Sequence, residues 1–277
     1  MNLGYLAAGA VLLLTGCGGA VPEHPCPESR CATELRQATH LEANHSYGAA
    51  LAHLIESVRW CREERNSPAL GTIPDRMARL ATVFAPARTE LRALQTDLLR
   101  GFDVGGLETR ELSFLAKVNA ALSDEAANER IFQAGDAEQK RTLWLYVAAA
   151  WLDGKRYDMF LKYPEYAEGE FDSFLAIREH VRSGQAGGRL PPGDEVTAEV
   201  LRIGAELVEA FVGAGDRGRA DAALARLLKV DSSPDAWAIV IKRVRRLGPE
   251  AESEYRVRAM SQLGADHAQE LARLLED

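Results

Sequence analysis

Residues 200–234, V-L-R-I-G-A-E-L-V-E-A-F-V-G-A-G-D-R-G-R-A-D-A-A-L-A-R-L-L-K-V-D-S-S-P, decide the fold. Val200, Ile203, Leu207 and Phe211 recur at i, i+3, i+7 and i+11, which is one face of a helix. Leu201, Ala205, Val208 and Val212 form a second apolar stripe beside it, leaving Arg202, Glu206 and Glu209 as a narrow polar strip. A helix apolar over that much of its circumference packs on two sides. Gly213, Gly215 and Asp216 supply the break and the cap of a second helix, which turns Ala220, Leu224 and Leu227 to one side. Pro234, after Ser232 and Ser233, marks the first turn of a third helix. The stretch is a helical hairpin with a successor.

This hairpin resembles a tetratricopeptide repeat. The residues that carry the resemblance are Leu207, Phe211, Gly215-Asp216, Ala220, Leu224 and Pro234, spaced as large and small residues alternate in that family's hairpin of about 34 residues. Gly204 stands where the family has an aromatic, and Val208 and Leu227 stand where it prefers small residues. The resemblance implies an all-α chain of irregular stacked hairpins, a tetratricopeptide-like α-solenoid. It also implies that the first helix of the unit lines a concave face, with Arg202, Ala205 and Glu209 toward a bound partner.

Working outward, the amino-terminal end reads M-N-L-G-Y-L-A-A-G-A-V-L-L-L-T-G-C. Its apolar run falls short of the roughly 20 residues that span a bilayer and fits a secretory signal. Leu14-Thr15-Gly16-Cys17 resembles the bacterial lipobox. That resemblance implies cleavage before Cys17, lipid on its sulfur and a lipid anchor in the cell envelope, on the outer membrane facing the periplasm. Gly18 follows Cys17 in place of the Asp that retains many such proteins at the inner membrane. Residues 1–16 are then the signal peptide. Residues 17–30, rich in Pro and Gly, are a flexible tether.

The chain has four cysteines. With Cys17 lipidated, three remain in an oxidising compartment. Asn44-His45-Ser46 is a turn between helices running from about Cys31 to Ala43 and from Tyr47 to Glu64. In an antiparallel pair Cys31 and Cys61 come level, which predicts a Cys31–Cys61 disulfide. The alternative is Cys26–Cys31, five residues apart. The spacing matches no common zinc pattern.

Further along, Pro86 either kinks one long helix or divides it. Nearly half of the aromatics fall between Trp144 and Phe174. Most of these read as core. Tyr163-Pro164-Glu165-Tyr166, at a helix break, reads least so, and Tyr163 and Tyr166 are candidate binding residues for a solute, peptide or glycan. The Gly- and Pro-rich stretch 184–194 is a linker between a first helical array, 31–183, and a second, 195–277.

A net charge of −8 disfavours nucleic acid as a partner. The one dense basic block, Lys242-Arg243-Val244-Arg245-Arg246, reads as a solvated helix face. No nucleophile elbow, Walker loop, dinucleotide fingerprint or helix-borne zinc motif occurs, so neither catalysis nor a cofactor is expected. The expectation is a lipid-anchored scaffold that binds another envelope protein, with a solute-binding lipoprotein as the alternative.

Overall fold

The computed structural model describes residues 29–105, 107–183 and 193–276. The described residues are helical throughout, with no strand. They divide into two compact units, one ending at Val147 and the other beginning at Ala148.

The first unit holds α1 (Arg30–Ala43), α2 (Tyr47–Glu63), the single turn α3 (Ser67–Leu70), α4 (Ile73–Ala81), α5 (Pro86–Asp103), α6 (Thr109–Ala121), α7 (Glu125–Ala134) and the start of α8 (Ala137–Asp153). The α1–α2 hairpin falls where the sequence places it. His45, at φ 57°, makes the tight turn. Ala50, Leu54, Ser57 and Cys61 of α2 are buried, as are Cys31 and Ala38 of α1. Cys31 and Cys61 are joined by a disulfide with their Cα atoms 4.8 Å apart. Glu64 closes the open end of the hairpin, accepting from Ser29 Oγ at 2.5 Å and from the Arg30 amide at 2.8 Å. Ser29 in turn caps α1 by accepting from the Ala32 amide.

Pro86 divides two helices rather than kinking one, because α4 ends at Ala81 and α5 begins at Pro86 itself. A buried polar network ties α5 to α6 and α7. Gln95 Nε2 donates to Asn119 Oδ1 and Asp124 Oδ2, Asn119 Nδ2 donates to Asn128 Oδ1, and Asn128 Nδ2 donates to the Ala116 carbonyl. The two buried amides, Asn119 and Asn128, each donate and accept, so their burial carries little penalty.

The second unit holds the rest of α8, α9 (Asp158–Lys162), α10 (Pro164–Arg182), α11 (Gly193–Gly213), α12 (Arg217–Val230), α13 (Pro234–Val244), a 3₁₀ turn (Arg245–Leu247), α14 (Pro249–Gln262) and α15 (Ala265–Glu276). Helix α11 is its axis. Both apolar stripes read from the sequence are buried, apart from the half-buried Val212, because α10, α12 and α13 all pack on this helix. Gly215, at φ 81°, makes the turn into α12, and Asp216 caps α12 by accepting from the Arg219 amide at 3.0 Å. Ser233 caps α13 before Pro234.

The sequence expectation put the boundary at 184–194, but the units divide within α8. The physical reason lies in α10, which belongs with α11. Phe171 of α10 lies against Gly204 of α11, where an added β-carbon would sit 3.0 Å from the ring. Arg178 donates to Thr197 Oγ1 and to the Val230 carbonyl. No helix among the described residues is long and apolar enough to cross a membrane.

Candidate binding groove and a buried charge cluster

In the first unit a groove of about 430 Å³ lies between α2 and α5, over Met77 of α4. Its α2 wall is Ile55, Val58, Arg59 and Arg62, with Glu63 at the rim, and its α5 wall is Glu90, Ala93, Leu94 and Asp97. Residues 55, 58, 59 and 62, and residues 90, 93, 94 and 97, each run i, i+3, i+4 and i+7, so each wall is one helical face. Val58 and Met77 form a buried apolar floor, and Ile55 is 40% exposed. Arg62 is held from within the unit by Glu111, and Arg59 pairs with Glu63 at 3.1 Å. Asp97 pairs with Arg100 on the outer surface. The α2 wall thus carries two arginines, each matched by a carboxylate, and the α5 wall carries Glu90 and Asp97, the latter matched by Arg100.

The sequence named none of these wall residues as a site. The signal was present in the breadth of the apolar arc on α2. Ala50, Leu54, Ser57 and Cys61 suffice to pack α1, yet Ile55 and Val58 add apolar surface on another side.

In the second unit the structure corrects two of the three residues expected to face a partner. Ala205 and Glu209 have no exposed surface. Helix α11 is enclosed by its neighbours and does not line an open face there. Arg202 retains surface, with its side chain 38% exposed, and is clamped by Glu199 and Glu206 at 2.7 Å and 2.6 Å. Hydrogen bonding to Glu199, with the charge of Glu206, raises the Arg202 pKa against the effect of burial.

Glu209 is the centre of a buried charge cluster. The Tyr157 hydroxyl donates to its Oε1 at 3.1 Å. Arg246 Nε lies 3.5 Å from the same oxygen and Arg243 Nη1 lies 3.6 Å from Oε2. Burial raises the Glu209 pKa, and the two guanidinium groups and the Tyr157 hydroxyl oppose that rise. Burial, with the Glu209 charge beside it, pushes Tyr157 up to about 12. Arg243 also pairs with Glu206, Arg246 with Asp153, and Arg245 with Glu252. The basic block is only in part the solvated face the sequence suggested. Lys242 and Arg245 are exposed, whereas the half-buried Arg243 and Arg246 are counter-charges of α11 and α8.

Beside this cluster is a cleft of about 470 Å³, lined by Lys155, Tyr157, Gly213, Arg217, Arg246, Glu250 and Glu254 among others. Its charges are already matched at Arg217–Glu254, 2.8 Å apart, and at Arg246–Asp153, 3.1 Å apart.

Of the aromatic segment, Trp144, Trp151, Tyr157, Phe160 and Phe171 are buried. Tyr163 and Tyr166 are half-buried; Tyr163 stacks on Trp151 at 6.1 Å and leans on Tyr166 at 6.3 Å. Neither lines the groove or the cleft. The histidines make local pairs, His53 Nδ1 with Glu34 at 2.6 Å and His45 Nδ1 with the Tyr47 hydroxyl at 2.7 Å. Cys17, residues 1–16 and most of the tether lie outside the described residues.

Compared with known proteins, the chain matches no family model, no curated protein and no solved structure.

Proposed function

We propose that this is a lipid-anchored protein of the bacterial cell envelope whose helical-hairpin body binds another protein. The observation that carries the reading is the groove between α2 and α5, with its apolar floor and charged walls. Interfaces combine an apolar centre with a polar rim. The lipobox-like Leu14–Cys17 supports the anchor. The Cys31–Cys61 disulfide supports an oxidising compartment, since such bonds are rare in the cytosol. The α11–α12 hairpin, with its Gly-Asp turn and buried Ala220, supports a tetratricopeptide-like kinship.

The test is affinity capture from native membranes with three baits: the full chain, Cys17→Ala, and Ala93→Arg. Ala93 is exposed on the α5 wall, so an arginine there fills the groove without emptying the core. The expected result is a small set of partners captured by the full chain and lost with Ala93→Arg. Loss with Cys17→Ala as well is expected from the anchor. Partners retained by Ala93→Arg would sink the groove, and partners retained by Cys17→Ala would sink the role of the lipid.

A further inference from the structure

This inference rests on the lipid-anchor reading above and concerns the face that the body turns to the bilayer. We propose that the end of the first unit built by Arg30, Trp60 and Val104 lies on the phospholipid headgroup layer that holds the anchor.

The place where the chain enters the body decides which end is near the lipid. Ser29, which caps α1, stands twelve residues after Cys17. A chain of that length reaches at most about 40 Å. Ser29 and the Arg30 amide donate to Glu64, just past α2, so the start of α1 and the end of α2 share one end of the unit. The Arg62–Glu111 pair brings the start of α6 there as well, and with it the turn from α5 that carries Val104.

Trp60 stands on the last turn of α2 and is half-buried. The Arg30 guanidinium lies over its ring at 4.4 Å, and that of Arg59 at 5.1 Å. An indole flanked by guanidinium groups suits the boundary between headgroups and acyl chains. There the ring meets apolar groups while the cations reach up to phosphate. Val104 adds an apolar contact, being 78% exposed at its turn. Charge does not select this surface. Arg59 is matched by Glu63, Arg62 by Glu111 and Arg100 by Asp97, and Glu56 and Asp103 are exposed beside Arg65. The end carries no strong field of either sign, so the layer it fits is zwitterionic and the contact is insensitive to salt. One indole and one valine hold a bilayer weakly by themselves. The anchor makes their contact intramolecular, at an effective concentration on the order of millimolar, so that the weak contact is populated.

The test reads Trp60 itself. The chain has four tryptophans, and Trp144, Trp151 and Trp237 are each at most 2% exposed. The lipidated full chain is reconstituted on phosphatidylcholine vesicles whose acyl chains are either plain or brominated. Flotation reports attachment, and tryptophan emission reports contact with the brominated chains. Brominated lipid is expected to lower the emission of the parent, at low and high salt alike, and to leave that of Trp60→Phe unchanged. Val104→Asp, at an exposed turn position, is expected to float as the parent does and to lose much of the quenching. Cys17→Ala is expected neither to float nor to be quenched. Circular dichroism checks that each variant is folded. Equal parent emission on both lipids, quenching that persists in Trp60→Phe, full quenching in Val104→Asp, or quenching abolished by salt would overturn the proposal. A parent that floats with Trp60 unquenched sinks this inference alone. A parent that does not float sinks the anchor, and this inference with it.

Discussion

A β-carbon on Gly213 would lie 2.4 Å from Cδ2 of Tyr157. Gly213 is the last residue of α11, and the Tyr157 ring covers its bare backbone. The ring has little freedom to move away, because its hydroxyl is held on Glu209 at 3.1 Å. Gly213→Ala is expected to destabilise the second unit by about 1–3 kcal/mol, the usual cost of overpacking. The sign makes the test sharp. At an unstrained helical position the same change gains up to about 1 kcal/mol from propensity alone. Denaturant unfolding of the two proteins decides it, and a variant as stable as the parent would mean that the Tyr157 contact is soft.

The disulfide is the firmest link between sequence and fold. It closes a loop with a sequence separation of 30, and both cysteines are fully buried. Replacing Cys31 and Cys61 together by Ser is expected to lower stability by about 3–4 kcal/mol. In the native protein the pair is expected to resist mild reductant and thiol labelling until denaturant is added. Mass mapping of unreduced peptides checks the pairing directly. A Cys26–Cys31 peptide in its place would contradict the geometry of the hairpin.

How far the sequence carried the fold depended on whether the partner of a residue was local. The α1–α2 hairpin was legible because a turn, two amphipathic stripes and two cysteines lie within one short stretch. The double apolar stripe of α11 likewise announced a helix packed on two sides. Glu209 was misread as surface because a carboxylate on a helix is exposed unless counter-charges come to it. Its counter-charges, Arg243 and Arg246, belong to α13 and the turn after it. The same blindness made those arginines look solvated. Gly204 looked like a defect in the repeat pattern. The bulk missing there is supplied by Phe171 from α10, on the far side of the Gly- and Pro-rich stretch. The groove was hidden for a related reason. Its two walls come from helices whose proximity depends on α4 bridging them.

Glu209 and Glu252 give the second unit two carboxylates of opposite tendency. Burial raises the Glu209 pKa above the ordinary value of 4.5. Hydrogen bonding from Arg256, with further help from Arg245, lowers that of Glu252 below it. The folded state therefore holds the Glu209 proton more tightly than the unfolded chain does. Its contribution to stability is complete below the unfolded pKa and is lost as pH rises through the higher native value. For Glu252 the contribution is present above the unfolded pKa and is lost as pH falls through the lower native value. Urea unfolding of the parent, Glu209→Gln and Glu252→Gln across the acidic to neutral range separates the two. The stability of the parent relative to Glu209→Gln is expected to fall with rising pH, by at most about 1.4 kcal/mol per pH unit within the window. Relative to Glu252→Gln it is expected to rise with pH, over a window that begins below 4.5. Working with differences cancels the titration of the other carboxylates. A flat difference for Glu209→Gln would mean that Arg243, Arg246 and the Tyr157 hydroxyl fully offset its burial, and that the cluster is a balanced ion network rather than a strained one.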